Sequence, residues 1–115
     1  MSYQPSRWVQ PDRMEELFKA LGSHWRIEIL KIIAQKPCSL CDLSQILPIE
    51  KSTICRHIKV LKINHIINTT SEGAIKLISI EDQKILELLI LAEQIVRQMK
   101  LFNVNNHGKE RLNEI

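Results

Sequence analysis

Apolar residues in this chain first recur at helical spacing. After a polar opening stretch containing Pro5 and Pro11, Met14, Leu17, Phe18 and Leu21 fall on one face of a helix that starts at Asp12. Gly22 and Ser23 interrupt it, and Ser23 is placed to cap a second helix over residues 24–34, with Ile29, Leu30 and Ile33 inward. Pro37 closes that helix. Ser39 and Asp42 then form an S-x-x-D capping pattern ahead of a third helix, whose inward side is Leu40, Leu43, Ile46 and Leu47. Pro48 and Ile49 break the chain tightly before a fourth helix over residues 51–63, which turns Ile54, Ile58 and Leu61 inward.

Past the fourth helix the period changes from that of a helix to that of a strand. Residues 65–70 and 74–80 are rich in β-branched side chains and flank Ser71-Glu72-Gly73, where Gly73 can take the positive φ of a hairpin turn. A last helix is expected over residues 81–99, followed by a polar tail. Two helices around a three-residue break, leading directly into a hairpin, predict a mainly α fold with a two-stranded β-wing, the winged helix-turn-helix. The organisation expected is a flexible arm over residues 1–11, one DNA-binding and dimerisation domain over 12–102, and a mobile tail over 103–115.

Composition narrows this picture. A chain of 115 residues supplies one domain and little beyond it. The net charge of +3 is too mild to indicate nucleic acid by itself, so the placement of the charges must decide. No apolar run reaches the ~18 residues of a membrane span, and the opening residues carry no apolar signal-peptide region. Three cysteines, an odd count without an export signal, suggest reduced thiols in the cytoplasm and not a disulfide framework.

The fourth helix supplies the placement. Opposite its apolar stripe lie Ser52, Arg56 and Lys59, with Cys55 beside them and Lys51 and Thr53 at its start. Arg in a major groove can reach guanine O6 and N7, while Lys and Ser hold phosphates. At the hairpin, Thr70, Ser71 and Lys76 are placed to touch the adjacent DNA backbone or minor groove. His57 sits on the flank of the buried stripe, where packing competes with DNA contact. An ordinary solvated face is the plainer explanation of Arg56 and Lys59; the tight turn before them and the wing after them favour double-stranded DNA.

Three stretches resemble the ArsR/SmtB family of bacterial metalloregulators and thiol sensors. They are LFKALGSHWRIEIL, CDLSQILPIEKSTICRHIKVLKINHII and the wing NTTSEGAIKLISIED. The resemblance covers roughly residues 14–95, and STICRHIKVLK is its most specific part. It implies a homodimeric repressor that joins through its first and last helices and leaves its operator when an inducer reaches a sensing site. The last helix supports dimerisation independently: Ile85, Leu88, Leu89, Ala92, Val96 and Met99 line one side, and Leu86, Ile90 and Leu91 spread over the rest.

Departures from the family pattern bear on the inducer. Zinc-sensing relatives bind metal on the last helix, but here Asp82 is accompanied by Lys84, Ile95 and Gln98 where other ligands belong, which argues against a zinc site. The C-x-C-D-L motif of arsenic, lead and cadmium sensors is present as C-S-L-C-D-L, with Ser39 replacing the first cysteine and Cys38 displaced by one. Cys41 lies in a helix's first turn, which favours a thiolate. The first reading is thiol sensing, in which Cys38 and Cys41 oxidise together and Cys55 can oxidise on the DNA-facing side. A second holds a thiophilic metalloid on Cys38 and Cys41, with Cys55 as a candidate third ligand. A third treats the cysteines as packing and surface residues. His24 and His65 read as surface or capping residues. No cofactor is firmly implied, and no enzyme: C-S-L-C follows a helix here, not the strand of a thiol-disulfide oxidoreductase. A winged helix that binds protein instead of DNA is disfavoured by Arg56 and Lys59.

Overall fold

The computed structural model describes the backbone of residues 11–106 and the side chains of residues 12–100. The expected N-terminal arm lies outside them except for Pro11. The chain divides into two units, one ending at Asp82 and the other beginning at Gln83.

In the first unit, α1 spans Pro11–Leu21, α2 His24–Gln35, α3 Leu40–Ile46 and α4 Lys51–Ile63. Pro11 suits the first helical position, where its missing N–H has no partner to lose. Ser23 caps α2 by accepting from the Arg26 amide at 3.5 Å. The capping box of α3 forms as expected: Asp42 N donates to Ser39 Oγ at 3.1 Å and Ser39 N to Asp42 Oδ2 at 3.0 Å. These bonds, the Ser39 backbone one foremost, hold the Asp42 carboxyl below the usual carboxylate range.

The core gathers Ile29, Leu30 and Ile33 of α2, Leu43 and Leu47 at α3, and Ile54 and Leu61 of α4, all buried, with Ile66, Ile67 and Ile78 of the wing region. Of the residues expected inward, Met14, Leu17, Leu40 and Ile58 are half-buried, while Phe18 is 53% exposed and Ile46 56%. Leu43 and Leu47, four apart, fill the narrow stripe that a two-turn helix can bury, leaving Ile46 past its edge. Phe18 likewise lies beyond the side of α1 that presents Leu17, Ala20 and Leu21.

The wing is an antiparallel pair, β1 Ile67–Glu72 and β2 Ile75–Ile80, in register from Ile67 against Ile80 to Glu72 against Ile75. It starts two residues later than the β-branched run suggests, because His65 and Ile66 are used to end α4. Ile66 N donates to Leu61 O at 2.9 Å and His65 N to Lys62 O at 3.0 Å, with His65 at φ 58°. This is a Schellman closure, and it buries Ile66 beside Leu61. The hairpin turn falls at Gly73-Ala74, with Gly73 at φ 65°, so Ser71 and Glu72 belong to β1.

A connection absent from the expected fold ties α3 to the wing. Cys38 N donates to Ile78 O at 3.1 Å and Ile78 N to Cys38 O at 2.7 Å, so the segment before α3 adds a one-residue bridge beside β2.

The second unit is α5, Gln83–Asn106. It starts two residues later and runs seven residues further than the 81–99 expected, so the first four residues of the expected tail are helical. Ile90, Leu91, Ile95, Val96 and Met99 are each about half exposed on the single chain. Among the described residues no helix is long and apolar enough to cross a membrane.

Candidate nucleic-acid interface

Burial of Ile54 and Leu61 fixes which way α4 faces. With those two inward, Lys51, Ser52, Cys55, Arg56 and Lys59 are exposed and Thr53 is half-buried. The helix carries four cations, Lys51, Arg56, Lys59 and Lys62, and no carboxylate. Glu50, just before it, is exposed and makes no side-chain cap bond.

The ion pairs of the molecule sharpen the contrast. Lys19 pairs with Glu15 and Glu16 on α1, Lys31 with Glu28 on α2, and Arg97 with Glu93 on α5. Among the described residues none of the α4 cations shares an ion pair. A solvated helix face commonly interleaves both signs at intervals of three and four, as α1, α2 and α5 do. The α4 face presents one sign.

Lys62 turns toward the wing, donating from Nζ to Thr69 Oγ1 at 3.4 Å. The register separates the expected wing contacts by face. Ser71 pairs with Lys76 on the face that carries Thr69, whereas Thr70 pairs with Leu77 on the other, together with Glu72 and Ile75. All of Thr70, Ser71 and Lys76 are exposed, but Thr70 and Ser71 point to opposite sides.

His57 is half-buried, and its Nδ1 lies 3.1 Å from a terminal nitrogen of Arg26. Guanidinium can only donate, so Nδ1 is the acceptor and the imidazole is neutral with its proton on Nε2. Burial first, then Arg26 and Arg56, push its pKa below the ordinary histidine value. Arg26 was not singled out by the sequence reading, because its partners lie in α1 and α4 and local periodicity does not reveal them.

The three cysteines are free thiols in different surroundings. Cys38 is buried, its Sγ donates to Lys36 O at 3.2 Å, and its backbone is pinned to Ile78. Burial and the nearby Asp42 push the thiol pKa up, against a smaller opposing effect of Lys36. The start of α3, expected to be flexible, is tied to β2 through these two backbone bonds. Cys41 is exposed and accepts a hydrogen bond from Gln45 Nε2 at 3.7 Å. Cys55 is exposed on the α4 face. Among the described residues no three His, Cys, Asp or Glu side chains cluster so as to hold a metal ion. A thiol-disulfide oxidoreductase site does not fit this architecture, because the only sheet among the described residues is the two-stranded antiparallel wing.

Comparison with known proteins agrees with this geometry. Residues 24–69 match the profile of the bacterial regulatory protein family arsR. Over 79 residues the chain is 30% identical to the arsenical resistance operon repressor of Bacillus subtilis, covering 67% of this chain and 74% of that one. It is 28% identical over 85 residues to an uncharacterised HTH-type transcriptional regulator of Methanocaldococcus jannaschii, covering 73% of this chain and 96% of that one. Among solved structures, a homodimeric winged helix-turn-helix DNA-binding domain from Mycobacterium bovis superposes with a TM-score of 0.74 at 20% identity, over 85% of this chain and 92% of that one. The Mycobacterium tuberculosis protein Rv0081 gives 0.78 at 23% identity, over 84% and 98%. The chain is a winged helix-turn-helix transcriptional regulator and belongs to the arsR family of bacterial regulatory proteins.

Proposed function

We propose that this regulator is a homodimeric repressor that docks α4 in the major groove of an operator duplex. The observation that carries this reading is the exposed cationic face of α4, without an ion pair among the described residues, set by the burial of Ile54 and Leu61 on the opposite side. Arg56 reads a base edge, most readily guanine. Ser52, Lys51 and Lys59 hold phosphates, with Thr53 and Cys55 at the margin of the contact. Ser71 and Lys76, paired across the wing, reach the neighbouring backbone, and Thr70 serves the opposite side of the hairpin. The similarity to an arsenical operon repressor supports repression as the outcome. With DNA as its partner, the protein works in the cytoplasm beside the chromosome.

The experiment is a binding titration of wild type and Arg56→Ala against two duplexes of equal length. One is selected from a random-sequence pool by the wild-type protein, and the other is its scrambled counterpart. Removing a base-reading arginine costs about 1–3 kcal/mol on the selected duplex and much less on the scrambled one. Equal losses on both duplexes would contradict base reading by Arg56.

A second reading, release of DNA by thiol chemistry, is supported at Cys55 and Cys41, the two exposed thiols. An adduct on Cys55 would stand on the face that meets DNA. The burial of Cys38 and its backbone bridge to Ile78 weigh against a sensor that needs Cys38 and Cys41 to oxidise together.

A further inference from the structure

All three guanidinium nitrogens of Arg26 are engaged within the protein. Nε donates to Ala20 O at 2.6 Å and Nη2 to Lys19 O at 3.3 Å, satisfying carbonyls at the end of α1. Nη1 reaches across to His57 Nδ1 on α4 at 3.1 Å. One side chain rooted in the first turn of α2 therefore links the close of α1 to the middle of the helix that carries Arg56. Building on the DNA reading above, we infer that Arg26 is a positioning residue for α4, holding it through His57, and that protonation of His57 releases the hold.

The bond depends on an unprotonated Nδ1. Once Nδ1 takes a proton from solvent, an N–H faces an N–H and an imidazolium faces a guanidinium. A hydrogen bond is thereby replaced by a repulsion. The charges acting on His57 are Arg26 from α2 and Arg56 from its own helix, both positive. Glu28 of α2, Asp42 of α3 and Glu72 of β1, the carboxylates on the elements packed against α4, do not offset them. Burial acts in the same direction, so the neutral form is the one the fold selects. The sign follows. The hold is complete above the ordinary histidine range and is lost as pH falls through the lowered value.

This runs opposite to the usual expectation for a DNA-binding protein. Acidification adds positive charge to the protein as a whole, and the effect of that charge on duplexes of equal length is nearly independent of sequence. The ratio of affinities for the selected and scrambled duplexes cancels that contribution and isolates the placement of α4.

The test measures this ratio for wild type, His57→Gln and Arg26→Ala at about pH 7.5 and at an acid pH where NMR of the wild-type ring shows His57 protonated. Circular dichroism at both values confirms that each protein is folded. Gln keeps an acceptor oxygen for Arg26 but takes up no proton. Wild type is expected to lose about tenfold in the ratio on acidification, the scale of one charge-assisted hydrogen bond. His57→Gln should retain its ratio at both values, and Arg26→Ala should start low and stay low. A wild-type ratio that holds or rises on acidification overturns the inference while leaving DNA reading intact. The absence of any preferred duplex at the higher pH overturns both.

Discussion

His65 adopts a left-handed backbone that few side chains tolerate, at φ 58°, because α4 must stop there and the wing must begin at once. Its amide and that of Ile66 close the last turn of the helix, and the burial of Ile66 against the core fixes the exit direction. A glycine would take the same conformation without the penalty of a Cβ. His65→Gly should therefore raise the free energy of unfolding by up to about 1 kcal/mol, measured by urea denaturation, with no change in DNA affinity. A destabilised variant would show that the His65 side chain contributes more than its strain costs. The end of α4 at residue 63 was legible in the sequence, but its left-handed closure was not, because the C′ residue is neither Gly nor Asn, the usual markers. The N-terminal signals were visible: Ser23, and Ser39 with Asp42, act through bonds spanning three residues. Arg26 acts on a partner 31 residues away, beyond any local pattern.

Among the elements, α4 was the most legible, since burying Ile54 and Leu61 on a 3.6-residue period leaves Arg56 and Lys59 nowhere to go but outward. The wing was legible as two β-branched runs but not in register. Alternation then separates Thr70 from Ser71, so the two cannot serve the same side of the hairpin. The bridge between Cys38 and Ile78 joins segments 40 residues apart through backbone atoms alone, which side-chain patterns do not encode. On α5, Leu91, Ile95 and Met99 recur every four residues and are all exposed on the single chain. If a second copy covers this stripe, Ile95→Glu places an unpaired carboxylate in the interface. The dimer dissociation constant should then rise about a hundredfold or more, followed by sedimentation equilibrium. A wild-type protein that sediments as a monomer, or a variant that dimerises equally well, would contradict that assignment.

For the whole molecule, position matters more than amount of charge. A net charge of +3 is unremarkable, yet α4 concentrates four cations on one helix without a carboxylate, while α1, α2 and α5 neutralise cations with ion pairs. Two copies joined through α5 would present two such helices, and each phosphate they neutralise would release condensed counterions. The most direct test of the account is the affinity of the wild-type dimer for its selected duplex as a function of salt. We predict a linear fall of log affinity with log salt, amounting to about a thousandfold or more between roughly 50 and 200 mM, as for a protein making several phosphate contacts. An affinity that stays flat across that range would contradict the claim that α4 docks on DNA.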